Sequence, residues 1–385
     1  MTAASPLSPI VLAAGGTGGH MFPAEALARE LLVRGREVVL ITDTRGKAFG
    51  DALGEVRVER IRAATVTAGI AGKLRMVTEI GIGTWQARGL LKRLRPALVV
   101  GFGGYPSVPT VFAAQRLGIP VVLHEQNAVL GRANRMLAKK AHMICTSFEH
   151  VSGVDAADSA RLERTGNPVR AAIVTLRDRP YPEIQPGGSL NILVTGGSQG
   201  ASIFGEVLPR AVAMLDEDQR ARLSIVQQAR TENLQAAAEA YRSMGVQATL
   251  APFFKDMPER LAACHLMICR SGASTVAELT VAGRPAILVP YPHATDDHQT
   301  ANARAVEAAG GAWLMPNPQF TAERLAARLN ELLADPMQLP ARAHAARIWG
   351  IPDAGQRLAD AVLSVAGTST GANGNSNSSS RETAA

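Results

Sequence analysis

Continuous apolar runs of five or six residues recur along the chain, separated for the most part by stretches with a helical repeat. The first group is 9–14 (PIVLAA), 37–42 (EVVLIT), 97–102 (ALVVGF), 120–124 (PVVLH) and 142–146 (HMICT). A second group is 190–195 (LNILVT), 223–228 (LSIVQQ), 246–251 (VQATLA), 265–269 (HLMIC) and 285–290 (PAILVP). Runs of Val, Ile and Leu without alternation fit strands buried on both faces of a parallel sheet, with the helical stretches as crossovers. Between the groups, residues 171–189 end in RDRPYPEIQPGGS, whose Pro and Gly content reads as a linker. The pattern therefore predicts an α/β chain of two doubly wound, Rossmann-like domains facing a cleft: 1–170, then the linker, then 190–352. A final helix over 353–366 is expected to pack back toward the N-terminal domain. Residues 367–385, rich in Gly, Ser, Asn and Thr, read as a disordered tail.

Composition narrows this picture. With 385 residues, 46% of them hydrophobic, the chain can bury two cores and is not disordered as a whole. Three cysteines in apolar runs, Cys145, Cys264 and Cys269, read as buried thiols rather than a disulfide framework. The spacing of Cys264, His265 and Cys269 fits no common zinc pattern, so no metal site is expected. Apolar runs are too short to span a bilayer, and the N-terminus lacks the basic segment of a signal peptide. A cytoplasmic protein is expected.

Charge is unevenly distributed. Residues 1–170 carry 22 Lys and Arg against 13 Asp and Glu, a net of +9, whereas the remainder is nearly neutral. A basic half points to an anionic surface as partner. Aromatic residues are only 4% and do not interleave with Lys or Arg, which argues against nucleic acid. The segment 65–95 mixes Ile70, Leu74, Val77 and Trp85 with Lys73, Arg75, Arg88, Lys92 and Arg93. With Lys139 and Lys140 it is the candidate face for a membrane, the alternative being an ordinary core-facing amphipathic helix.

Three glycine-rich turns follow strands: GGTGGH (15–20), GFGGYPS (101–107) and GGSQGAS (196–202). Glycine permits tight turning and close approach of a ligand, and helix N-termini favour anions. None is a P-loop or a dinucleotide fingerprint. A fourth turn, RSGASTVAE (270–278), opens a helix in which Glu278 is placed to accept hydrogen bonds from vicinal hydroxyls such as those of ribose. Asp216-Glu217-Asp218, the one Asp-x-Asp string of the kind that holds a metal in some sugar transferases, reads as a solvated helix end.

These segments, with HEQN (124–127) and Asn134, TGNPVR (165–170) and DHQTANA (297–303), together resemble the MurG family of UDP-N-acetylglucosamine transferases over about residues 9–365. The resemblance implies the GT-B architecture and inverting transfer of N-acetylglucosamine. The donor would be UDP-N-acetylglucosamine and the acceptor the C4 hydroxyl of MurNAc in undecaprenyl-pyrophosphoryl-MurNAc-pentapeptide. No cofactor is implied, and the setting would be the anionic cytoplasmic face of the cell membrane, with peripheral attachment. Glu278 would hold the ribose, and Arg270 with the 253–256 loop (Phe253, Phe254, Lys255 and Asp256) would frame the uracil. Ser198 and the Ala273-Ser274-Thr275-Val276 turn would meet the diphosphate, with Thr17, Gly18 and Gly19 approaching it from the other domain and Arg170 neutralising it. Asn127 and Gln299 would read sugar hydroxyls, and Tyr105 and Asn134 would lie on the acceptor side. His298 and Phe254 depart from the family pattern, where Gln and Ile are frequent.

Transfer requires a base for the acceptor hydroxyl. His20 is the first candidate, because imidazole titrates near neutrality, with phosphate binding or helix capping as the alternative. Glu125 is the second, unless it serves as a structural acceptor in the HEQN turn. Rival functions are another UDP-sugar enzyme of the same architecture, such as an epimerase or a natural-product glycosyltransferase, and a non-enzymatic nucleotide-sugar-binding subunit.

Overall fold

The computed structural model describes residues 8–15, 18–43, 56–63, 70–197 and 201–374, with side chains omitted at 70–75 and 368–374. The chain divides into two compact units, residues 1–168 with 353–385, and residues 169–352.

The first unit holds β1 (Ile10–Ala13), α1 (Gly18–Val33), β2 (Val38–Thr42), β3 (Arg57–Arg60), α2 (Ile70–Leu94) and β4 (Leu98–Gly101). It continues through α3 (Val108–Arg116), β5 (Val121–Glu125), α4 (Arg132–Ala138), β6 (Met143–Thr146) and β7 (Leu162–Arg164). All strands pair in parallel in the order β3-β2-β1-β4-β5-β6-β7. Every residue of β1, β2, β4 and β5 is buried, as strands covered on both faces must be.

The second unit begins with α5 (Ala171–Val174), β8 (Leu190–Thr195), α6 (Ser202–Ala213), α7 (Glu217–Ala221), β9 (Leu223–Gln228), α8 (Thr231–Ser243) and β10 (Gln247–Ala251). It goes on with α9 (Met257–Ala263), β11 (Leu266–Cys269), α10 (Ala273–Val281), β12 (Ala286–Leu288), α11 (His298–Ala308), β13 (Ala312–Leu314), α12 (Ala322–Ala334) and α13 (Gln338–Trp349). Its order, β10-β9-β8-β11-β12-β13, is again the doubly wound pattern. In each sheet the chain reverses direction beside the first strand, between β1 and β4 and between β8 and β11. The loops at the carboxyl ends of those strands are where such sheets bind ligands.

The last helix, α14 (Ala354–Gly374), belongs to the first unit. Leu358 and Val362 join the cluster of Ile10, Leu12 and Leu27, and Arg34, just after α1, bonds the Asp360 carboxylate and the Gln356 carbonyl.

Two expectations change. The linker 171–189 is a packed part of the second unit: Ile173 and Leu176 are buried, and the Tyr181 hydroxyl donates to the His265 carbonyl at 2.6 Å. Its Pro and Gly residues shape an irregular path, while these apolar groups anchor it. The final helix runs to Gly374, past the expected end at 366, because adding a residue to a formed helix needs no new nucleus. The rest of the expected tail, 375–385, lies outside the described residues. Asp216-Glu217-Asp218 is an exposed helix end, as expected, with Asp216 as the N-cap of α7 in a capping box with Gln219.

Candidate active site

The glycine turns of the first unit interlock at the carboxyl ends of β1 and β4. A Cβ on Gly15 would stand 2.6 Å from Pro106 Cβ, so that residue must lack a side chain. Gly103 and Gly104 turn with φ of 80° and 71°, in the left-handed region that glycine enters freely. Their missing side chains leave room for the His20 ring: a Cβ at Gly104 would lie 3.3 Å from His20 Nε2. His20 stands in the first turn of α1, half-buried, with Gly18 and Gly19 before it. Tyr105 opens the turn that follows Gly104 and is half-buried. Thr17 lies outside the described residues.

Beneath this turn is a hydrogen-bonded chain from β5. His20 Nδ1 is 3.0 Å from Gln126 Oε1. Gln126 Nε2 is 2.9 Å from both His124 Nδ1 and the His124 carbonyl. His124 Nε2 reaches the Gly166 carbonyl at 3.0 Å. Both His124 and Gln126 are buried. Burial, first, and the neighbouring His20 lower the pKa of His124 to about 4, so it is neutral at physiological pH.

Glu125 accepts hydrogen bonds around the HEQN turn, the alternative its sequence position left open. Its Oε1 accepts from the Asn127 backbone at 3.1 Å and the Asn127 side chain at 3.3 Å, and its Oε2 from the Gly131 backbone at 2.9 Å and Asn134 Nδ2 at 2.8 Å. A buried carboxylate with two donors on each oxygen organises a loop. Asn134 is equally structural: buried, it also donates to the His124 carbonyl. The amide nitrogen of Asn127, expected to read a sugar, is likewise bonded to Glu125.

In the second unit, β11 leads through Arg270, Ser271 and Gly272 into α10. Gly272 is the N-cap and supplies no side chain to the helix end. The first-turn N–H groups of Ala273, Ser274 and Thr275 are those an α-helix leaves unpaired, a ready anion site. Val276 differs, since its N–H bonds the Gly272 carbonyl at 2.9 Å and its side chain is buried. The Ser274 hydroxyl is buried with no partner among the described residues.

One turn into α10, Glu278 is held by Arg170, whose Nε and Nη2 lie 3.0 Å and 2.9 Å from Oε1. Burial raises the Glu278 pKa and outweighs the lowering by Arg170. Gln299 accepts the Tyr291 N–H on its Oε1 at 2.9 Å. Ser198 lies outside the described residues.

Two residues expected at the uracil have partners within the protein. Arg270 Nη1 bonds the Val289 and Pro290 carbonyls and Asn317 Oδ1, at 3.1, 2.8 and 2.8 Å, so the guanidinium braces the loop after β12. Phe254 is buried beneath Arg260, 4.1 Å from its ring centre, whereas Phe253 is exposed. Two adjacent aromatic residues in an extended segment point to opposite sides, and the sequence does not say which side is outward. The sequence assigned no role to Gln126 or His124 individually within HEQN; no spacing rule marks a side chain that meets His20 across 106 positions.

The glycosyltransferase family 28 N-terminal domain matches residues 10–146, and the family 28 C-terminal domain matches residues 191–370. A transferase of Rhodospirillum centenum is 72% identical over 365 residues, covering 95% of this chain and 96% of the relative. One from Paramagnetospirillum magneticum is 55% identical, covering 94% and 98%. Both are named UDP-N-acetylglucosamine–N-acetylmuramyl-(pentapeptide) pyrophosphoryl-undecaprenol N-acetylglucosamine transferase. The crystal structure of Acinetobacter baumannii MurG, 31% identical, superposes with a TM-score of 0.76 over 92% of this chain and 99% of that one. With two doubly wound units, the glycine turns at their switch points and these matches across nearly its whole length, the chain belongs to the MurG family of family 28 glycosyltransferases.

Proposed function

We propose that the chain transfers N-acetylglucosamine from UDP-N-acetylglucosamine to the C4 hydroxyl of MurNAc in undecaprenyl-pyrophosphoryl-MurNAc-pentapeptide, with inversion at the sugar. The observation that carries this reading is the 72% identity, across 95% of the chain, to a transferase of that name. The residues fit the chemistry. Charge that develops on the departing diphosphate would meet the N-terminal N–H groups of α10, a preorganised stabilisation that asks for no resident cofactor. Glu278 would accept from the ribose hydroxyls once Arg170 turns to the phosphates. His20 Nε2, facing the Gly104 turn, would take the proton of the attacking hydroxyl.

The acceptor carries an undecaprenyl chain, which places the reaction at the cytoplasmic face of the cell membrane. Among the described residues no helix is long and apolar enough to cross it. Peripheral attachment is supported by exposed Val77 and Trp85 on α2, Phe112 on α3 and Met136 on α4, beside exposed Arg88, Lys92, Lys139 and Lys140. Lys73, Arg75, Ile70 and Leu74 of the same face lie outside the described side chains. The partners are thus the two substrates and an anionic lipid surface rather than nucleic acid.

The test is transfer of labelled N-acetylglucosamine to the lipid-linked acceptor by the purified protein, with and without EDTA. One sugar per acceptor, release of UDP and indifference to EDTA are expected. Conversion of the donor sugar without acceptor would favour the epimerase reading and overturn this one.

A further inference from the structure

Three hydrogen bonds in series run from the Gly166 carbonyl to His20, and a fourth ties Gln126 to the His124 carbonyl. A carbonyl oxygen only accepts, so His124 Nε2, 3.0 Å from the Gly166 oxygen, carries the ring proton. His124 Nδ1 is then an acceptor. The Gln126 nitrogen therefore faces two acceptors at 2.9 Å, His124 Nδ1 and the His124 carbonyl, one for each of its hydrogens. The flipped amide would aim its oxygen at both lone pairs, so the orientation is fixed twice over. Gln126 Oε1 is left toward His20 Nδ1 at 3.0 Å, and it too can only accept.

We propose that Gln126 and His124 are positioning residues that hold neutral His20 as its Nδ1–H tautomer, leaving the Nε2 lone pair toward the Gly104 turn. The histidine side chain free in water favours the opposite, Nε2–H form, which would offer a donor where a base is needed. A ring nitrogen's protonation follows the bond made by the other nitrogen. Here a buried amide and a buried imidazole replace the carboxylate that usually orients a basic histidine. They do so without adding a charge to the low-dielectric interior under β5. The neutral state of His124 is part of the device, since a proton on Nδ1 would compete with the Gln126 amide. Among the described residues, the ionisable side chains on the adjoining loops include Glu125, with its four donors, Tyr105, and Asp43, whose Oδ1 would lie 3.3 Å from a Gly15 Cβ.

The role of Gln126 rests on the proposed use of His20 as base, but the tautomer can be observed without any activity. In full-length protein labelled with ¹⁵N-histidine, His20 Nε2 should resonate as an unprotonated and Nδ1 as a protonated nitrogen at neutral pH, with His124 the reverse. A protonated His20 Nε2 overturns the inference. Gln126→Leu should lower kcat about tenfold to a hundredfold, a share of what a positioned base supplies, with the donor KM unchanged and His20 moved toward the Nε2–H form. If Gln126→Leu folds and changes neither kcat nor the tautomer, the inference falls, whatever His20 does. If instead His20→Ala keeps wild-type kcat, the base assignment fails while the tautomer measurement still decides what Gln126 does.

Discussion

Arg170 grips a single oxygen of Glu278, with Nε at 3.0 Å and Nη2 at 2.9 Å from Oε1. The two residues are 108 positions apart, and the pair joins the start of the second unit to the first turns of α10. The carboxylate that would hold ribose is thus kept in place by the cation that would meet the diphosphate. Glu278→Gln should raise the donor KM about tenfold to a hundredfold, as expected from about 1–3 kcal/mol for an unsatisfied polar group. Its effect on stability has the opposite sign. The folded carboxyl has a pKa above its usual 4.5, so its contribution is full below that value and is lost as pH rises through the raised one. At pH 7.5 the variant should melt no lower than wild type, and an intact donor KM would remove Glu278 from the site.

His124 gives a second pH signature. Its pKa falls from 6.5 to about 4 on folding, so the contribution is present above pH 6.5 and is lost as pH drops toward 4. The loss between those values is on the order of 3 kcal/mol. Denaturant titrations of wild type should show this decline, and His124→Asn should flatten it.

Glu125→Ala should destabilise the first unit strongly. Four donors lose their acceptor in a buried place, and the cost is expected to be about 3 kcal/mol or more. The measurement that separates structure from catalysis is the pH profile of kcat/KM. Its acidic limb should survive in Glu125→Gln and disappear in His20→Ala.

Attachment to lipid can be tested on α2, where Trp85 is 77% and Val77 63% exposed. Trp85→Ser and Arg88→Glu with Lys92→Glu should each reduce sedimentation with anionic vesicles; added salt should weaken wild-type binding and shrink the deficit of the charge-reversed variant, while the Trp85→Ser deficit persists. Activity on a short-chain, water-soluble acceptor should not change. Vesicle binding that ignores both substitutions would move the docking face elsewhere.

The ten apolar runs of the sequence are all strands in the structure, because a parallel strand covered on both faces needs apolar residues at every position. The strands the pattern misses, β3, β7 and β13, are all sheet edges; β3 reads RVER and β13 has only three residues. An edge strand pairs on one side only and need not be buried throughout. The motifs likewise placed the glycine turns, His20 and Glu278 at the right ends of the right strands, since local chain geometry decides those positions. What local geometry cannot decide is which partner a polar side chain meets. Glu125 and Asn134 are consumed by one loop, Arg270 by the carbonyls after β12, and Phe254 by Arg260, while Gln126 is turned toward His20. Each outcome depends on residues brought together by packing from distant parts of the chain, and a hydrogen bond or a buried ring is satisfied only once those neighbours are in place.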